Sequence, residues 1–318
     1  MRNATGKVLF FVLAVICTCS MAFAWGSATH AYIETHLTNK GPILMINQVY
    51  GGMGADVFNY MFETPAEMTW LSNETHCDPL RLWRVALLPT AKAQAFGFVS
   101  HNNLWGVDST AHFPACPPDL IPSSGYIFAK GAELEAIVES DPTYGPVLDS
   151  LHLPTDLQAG IFQDLAEFGV DILVKRLDPG IGQKVSAAAL LRSPEFPLLL
   201  VAAYGRGLSQ TFGMSHQDAA RMITAEEAEF RKTIIGYGQA LTQDEATATL
   251  LISENMAQLA QALLGAYGIT PPPPADLVPI LSFSISQAEM ICAGDFQLEI
   301  GSTVKTVKKN LASHGISY

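Results

Sequence analysis

An all-α fold is expected from three features of this 318-residue sequence. Strand signals are scarce: alternating runs of Val, Ile, Thr and Tyr are few, and no Asn-Gly hairpin turn occurs. Helix-start signals recur. Thr64-Pro65-Ala66-Glu67 combines a capping box with proline at the first helical position, and Thr155 with Gln158, Thr224 with Glu227 and Thr242 with Glu245 repeat the box. The composition, 49% hydrophobic and 15% charged, suits a buried helical core and excludes intrinsic disorder, which needs low hydrophobicity and high charge. A net charge of −12 counts against a protein that tracks nucleic-acid phosphates with a basic stripe. An acidic chain can still meet phosphate through bound cations.

Taken in chain order, Arg2 and Lys7 precede the apolar run Val8–Ala24, which closes on Ala22-Phe23-Ala24. A basic start, a short apolar core and a small-x-small ending describe a secretory signal peptide, residues 1–24, cleaved between Ala24 and Trp25. The run is shorter than the ~20 apolar residues that span a bilayer. The mature protein is therefore expected outside the cytoplasm, periplasmic or extracellular, without a transmembrane segment or a second long apolar run. Neither Cys17 nor Cys19 follows the small residue of a lipoprotein site, so no lipid anchor is expected. Losing Arg2 and Lys7 leaves 16 basic against 30 acidic residues, about −14. Residues 25–270 are expected to form one helical domain. Within it a helix from Asp156 stops near Leu177, before Asp178-Pro179-Gly180, and another from Gln243 ends near Gly265. Val185–Tyr204 is apolar but interrupted by Arg192, Pro194, Glu195 and Pro197, which reads as buried helices with a break. Pro271–Pro274 forms a stiff connector, and the tail at 271–318 carries apolar periodic stretches that should pack back onto the body. Asn73-Glu74-Thr75 fits a glycosylation sequon.

Histidines and carboxylates cluster in the first half. After cleavage Trp25 would carry a free amine of pKa ~7.7–8.0, able to lose its proton near neutrality and coordinate a metal. His30 lies one helical turn and a residue further on. On a continuous helix His101, Asp108 and His112 fall within a narrow face, two imidazoles and a carboxylate of the kind zinc takes. Gly106 could instead mark a bulge or short loop between them. Asp56 follows the glycine-rich Gly51-Gly52-Met53-Gly54, and His76 precedes Cys77. Each of these alone also fits an ordinary loop or core residue.

Together, Trp25-Gly-x-x-Thr-His30, Gly-Ala-Asp56, His76 and Gly-Phe-Val-Ser-His101 followed by Asp108-x3-His112 resemble the zinc-dependent phospholipase C family. Its superfamily also holds single-strand-specific fungal nucleases and the amino-terminal domain of glycosylphosphatidylinositol-specific phospholipase D. The resemblance covers roughly residues 25–184. It implies a helical fold around a cluster of two to three zinc ions. Trp25 would bind one ion through its amine and carbonyl, with His30 and a bridging Asp108; Asp56, His76, His101 and Asp108 would hold a second; His112 and a later His-x3-Glu pair would hold a third. Asp56 would also orient or deprotonate the attacking water as the catalytic carboxylate.

The sequence departs from this pattern twice. Six residues rather than three separate His101 from Asp108, although steps of four and seven return to the same helical face. No His-x3-Glu follows His112; Gln163 with Glu167 is the nearest counterpart, and Glu133, Glu135 and His216 are rivals. Cys77 and Cys116 adjoin the His76 and His112 segments, so a disulfide between them would staple the two, with metal ligation as the alternative and Cys292 left as a free thiol. His36, His152 and His314 have no matching context and are expected to be structural or on the surface. The implied activity is a secreted phosphodiesterase acting on phospholipid or a related phosphate diester, with peripheral membrane contact and no stable nucleic-acid complex. One alternative is a nuclease on single-stranded nucleic acid, for which Trp70, Trp83 and Trp105 would be stacking platforms. The other is a non-catalytic, metal-stabilised binding or structural protein.

Overall fold

The computed structural model describes residues 25–111, 116 and 124–318; the expected signal peptide and His112 lie outside the described residues. Helix α1 (Ser27–Leu37) is followed by α2 (Pro42–Met53), a 3-10 turn at Gly54–Phe58, α3 (Pro65–Cys77), α4 (Leu80–Val85) and α5 (Pro89–His101). After a loop come α6 (Asp108–Ala111), α7 (Tyr126–Ser140), α8 (Gly145–Ser150) and the long α9 (Thr155–Leu177). The second half holds α10 (Ile181–Leu191), α11 (Phe196–Leu200), α12 (Arg206–Phe212), α13 (His216–Leu241), α14 (Glu245–Ala266), α15 (Pro274–Cys292) and α16 (Phe296–Ser313). No strand occurs among the described residues. The fold is all-α.

Proline begins several of these helices, at Pro42, Pro65, Pro89 and Pro274, where its missing N–H has no helical partner to lose. The capping boxes fare less well. Thr64 and Thr155 stand at helix starts but make no side-chain cap. Thr224 lies inside α13, its hydroxyl turned back on the Ala220 carbonyl, and the cap of that helix is Ser215, accepting from the Asp218 N–H. Asp244 rather than Thr242 caps α14. Ser215 and Asp244 each adopt the extended backbone that a cap needs.

One hydrophobic core runs from Trp25 to Ile316, so the tail joins the body as expected. Helices α2 and α5 cross almost backbone to backbone: a Cβ on Gly51 would strike the Gln94 carbonyl, and one on Gly97 the Gln48 carbonyl. This approach sets the height of His101 against the end of α2. The apolar stretch around residue 190 is broken as expected. It forms α10 and the α11–α12 segment, bent by 72° at the Arg192–Glu195 loop. The expectation that no further long apolar run exists needs correcting. Among the described residues Pro274–Cys292 is long and apolar enough to cross a membrane. In this fold α15 packs against α7, α9 and α14.

Candidate metal centre

Four helices and one turn bring their polar side chains to one place. His30 comes from α1, Asp56 from the 3-10 turn, His76 from the end of α3, His101 from the end of α5 and Asp108 from the start of α6. Asp56 Oδ1 lies 3.2 Å from His76 Nε2 and 3.4 Å from His101 Nε2. Asp108 Oδ2 lies 2.8 Å from His101 Nε2 and 3.7 Å from His76 Nε2, while its Oδ1 lies 3.5 Å from His30 Nε2. The His76 and His101 Nε2 atoms are 3.2 Å apart. His30 and His101 stack with ring centres 4.2 Å apart. Two triads result, His30–His101–Asp108 and Asp56–His76–His101, each with its ligand atoms within 4.8 Å of one another.

The surroundings aim these rings. His101 Nδ1 lies 2.7 Å from the Gly52 carbonyl and His76 Nδ1 2.8 Å from that of Ser72. A carbonyl can only accept, so each Nδ1 carries the proton and each Nε2 is directed at the cluster. Asn59 donates to Asp56 Oδ1 at 2.8 Å and accepts the Ser72 hydroxyl at 2.6 Å, which ties the Asp56 turn to the residue whose carbonyl orients His76. His30 has no hydrogen bond on either ring nitrogen, and neither carboxylate oxygen of Asp108 has one. The 2.8 Å approach of Asp108 to His101 is thus a charge contact without the direction of a hydrogen bond.

Metal-free electrostatics follow from this crowding. Burial lowers the His101 pKa, but the Asp108 and Asp56 carboxylates outweigh it and hold the ring well above its usual value. Burial raises Asp56, yet His101 and His76 keep it well below the carboxylate range. His30 is driven well below the usual histidine value, first by burial and then by His101. Buried imidazole nitrogens and carboxylate oxygens that converge and lack other partners fit a divalent cation, which would satisfy them together. The buried His and Asp groups can hold a metal ion.

The loop between His101 and Asp108 corrects the continuous-helix reading. Helix α5 ends at His101; the Asn102 Oδ1 accepts the N–H groups of Leu104 and Trp105 at 2.9 Å each, and the Val107 N–H returns to the Ser100 carbonyl at 2.7 Å. At Gly106 a Cβ would meet the Ser100 carbonyl and the Asn102 nitrogen, so the tight return needs glycine. This loop, rather than helical periodicity, sets Asp108 against His101.

A second correction concerns Gln163. Its side chain and backbone lie against Gly131 of α7, and it does not line the cavity beside the cluster. Asp164 faces the cluster instead, and with Glu167 it lines a cavity of about 150 Å³ together with Trp25, Asp56 and Tyr60. Asp164 Oδ1 and Glu167 Oε1 have no hydrogen bond. Both pKa values are pushed well up, by burial first, then by Asp56 for Asp164 and by Asp164 and Asp56 for Glu167. A spacing of three residues also shares a helix face, which is the signal that would have found Asp164.

The rival positions are placed elsewhere. Glu133 is exposed and near Lys130, Glu135 accepts from Gln158, and His216 is exposed. His36, His152 and His314 are exposed, as expected. Trp25 is buried, its ring stacked on Tyr126 at 5.5 Å between centres and its indole N–H 3.5 Å from the Thr110 hydroxyl. Just behind it, Asp171 of α9 accepts the N–H groups of Ala28 and Thr29 at 2.9 and 2.8 Å and caps α1 from another helix. Cys77 and Cys116 form a disulfide and Cys292 is a buried free thiol.

No family model, no curated protein and no solved structure matches this chain.

Proposed function

We propose that this protein is an exported, zinc-dependent phosphodiesterase that hydrolyses a phospholipid or a related phosphate diester. The observation that carries the reading is the convergence of Asp56, His76, His101, Asp108 and His30 at a buried cluster beside a cavity that Asp164 and Glu167 also line. The motif resemblance points to the same five side chains. Zinc held there, as two or three ions, would supply an activated water and positive charge for the phosphoryl oxygens. Three imidazoles with carboxylates suit zinc among the divalent cations. His76, His101, Asp56 and Asp108 would hold one ion, and His30 with the shared Asp108 a second, joined by Trp25 once its amine is free. Asp164 and Glu167 would serve the third position in place of a His-x3-Glu pair.

The chain's own groups then do the rest. The Ser72 and Gly52 carbonyls keep Nε2 of His76 and His101 directed inward, so the ligands need no rearrangement. Asp56 Oδ1 is held by Asn59 while the residue lines the cavity, which lets its carboxylate orient the attacking water and accept its proton. Support for a nuclease is weaker. Trp83 is covered by Lys92, with Nζ 3.9 Å from the ring centre, Trp105 stacks on His314 at 4.3 Å, and Trp70 packs edge-on to Phe212. None of the three lines the cavity.

The test is turnover of phosphatidylcholine, single-stranded DNA and a chromogenic diester by the processed protein, zinc-loaded and chelated, with its metal content measured. Zinc-dependent hydrolysis of the lipid is expected. Preference for the DNA would select the nuclease reading, and no turnover by metal-replete protein would select the non-catalytic one.

A further inference from the structure

The cavity beside the cluster is polar at one end only. Asp56, Tyr60, Asp164 and Glu167 gather there, while most of the remaining wall is carbon. Ser284, on that wall, is buried with its hydroxyl bound to the Ile280 carbonyl of its own helix, and so offers little polarity. Along α9 the lining runs from Glu167 and Asp164 to Ile161, about 9 Å at 1.5 Å per residue. It continues past the start of that helix onto Leu153, Leu151 and Leu148. The facing wall comes from α14 and α15, through Met256, Ala260, Leu263, Leu277 and Leu281.

These two helices lie beyond the stretch that carries the metal-site motifs. Helix α14 packs mainly on α15 and touches α9 sparingly. A small separate core of Leu157, Leu263 and Leu264 joins the start of α9 to the end of α14. The far end of the slot is therefore pinned by side chains of its own walls. Such a long apolar slot with three carboxylates and a phenol at one end, where Asp56 links it to the histidine cluster, matches an amphiphile with a carbon tail and a head that binds through cations held there.

We infer that this slot binds one alkyl or acyl chain of an amphiphilic phosphate ester, placing its head at the Asp56 cluster. The tail site is a consequence of the α9–α14–α15 walls; only the identity of the head rests on the phosphodiesterase reading. Ala260 is the small side chain on the α14 wall and is partly exposed, so a larger residue there would fill the slot without invading the core.

The experiment is calorimetric titration of the processed protein with monomeric n-alkyl phosphates from butyl to dodecyl, below their micelle concentrations, in zinc-loaded and chelated forms. Expected is one site per chain, with affinity rising by up to about fourfold per added methylene until the slot is filled, as burial of methylenes dictates. Ala260→Trp and Leu281→Trp should each remove the dependence on length, with circular dichroism and metal content reporting that the variants fold. Affinity independent of chain length, more than one molecule bound per chain, or unchanged binding in both folded variants would overturn the inference. Length-dependent binding by a protein that turns over no diester would uphold the tail site while the hydrolase reading falls. Diester hydrolysis with length-independent binding would do the reverse.

Discussion

Replacing Asp108 by asparagine is the sharpest probe of the cluster, because this carboxylate is common to both sides of it. One oxygen faces His30 at 3.5 Å and the other His101 at 2.8 Å, and neither is hydrogen-bonded. With the two ring nitrogens of His30, four buried polar atoms lack a hydrogen bond. At ~1–3 kcal/mol for each buried group left unsatisfied, a cation that engages them should add several kcal/mol to folding stability. Linkage gives a similar scale: free metal at ~100–1,000 times its Kd stabilises by ~2.7–4.1 kcal/mol. At ~2–4 °C per kcal/mol for large domains, the zinc-loaded protein should melt roughly 5–15 °C above the chelated protein. Asp108→Asn keeps the shape but removes the shared negative charge while leaving the Asp56–His76–His101 triad, so the gap should narrow by several degrees and the bound metal should fall. Thermal melts followed by circular dichroism in zinc-buffered and chelating solutions give the gap, and elemental analysis of the purified proteins gives the metal content. A variant that kept the wild-type gap and metal content would refute the assignment of Asp108. A wild type with no gap and no bound metal would refute the cluster as a metal site.

Five further outcomes are expected. Asp164→Asn should lower the number of bound ions while Gln163→Ala leaves it unchanged, because only Asp164 faces the cavity; elemental analysis showing the opposite order would restore the Gln163–Glu167 pairing. A protein with extra residues before Trp25 should bind less zinc than one beginning at Trp25, since an amide nitrogen replaces the amine; equal zinc content in the two would remove Trp25 from the ligand set. Replacing both Cys77 and Cys116 by serine should cost up to about 4 kcal/mol in urea unfolding, the loop-closure value for a bridge spanning 39 residues. The native processed protein should meanwhile show no reactive thiol at pH 8, because burial pushes the Cys292 thiol up to about 11, and rapid native alkylation would contradict this. Finally, burial pushes the Glu34 carboxyl from 4.5 up to about 8. The folded chain then holds this proton after the unfolded chain has lost it, so stability is full below about pH 4.5 and declines as pH rises toward 8, by up to about 1.4 kcal/mol per unit. In chelated protein Glu34→Gln should flatten that decline, and an unchanged slope in denaturation across this range would show that Glu34 is not its source.

Local chemistry marks some of these residues and is silent on others. His30, His76, His101, Asp56 and Asp108 stand out by residue type and neighbourhood alone, because imidazoles and carboxylates set among small and apolar neighbours need partners once buried. Spacing does not separate Asp164 from Gln163; only the carboxylate favours Asp164 as a cation ligand. Both lie within one turn of Glu167, and the packing of α7 decides between them: Gly131, lacking a side chain, receives Gln163, which leaves Asp164 to line the cavity. The cap of α1 is equally invisible to local reading, since it comes from Asp171, more than a hundred residues away. Thr224 has the spacing of a helix cap yet sits inside α13, because Ser215 starts that helix earlier and the chain has no reason to stop.

What the sequence determined by itself was the helical class, the proline-marked helix start at Pro65, the break near Pro194 and the kinds of side chain able to hold a cation. These depend on neighbours within a few turns, and helical periodicity reports them. Only the tertiary structure decided that a glycine loop sets Asp108 against His101, that Asp164 rather than Gln163 joins Glu167, and that α14 and α15 build a carbon-lined slot beside the cluster. Periodicity gives the angle of a residue about its own helix axis; it carries no information about which other helix lies against that face, or how closely the two backbones approach.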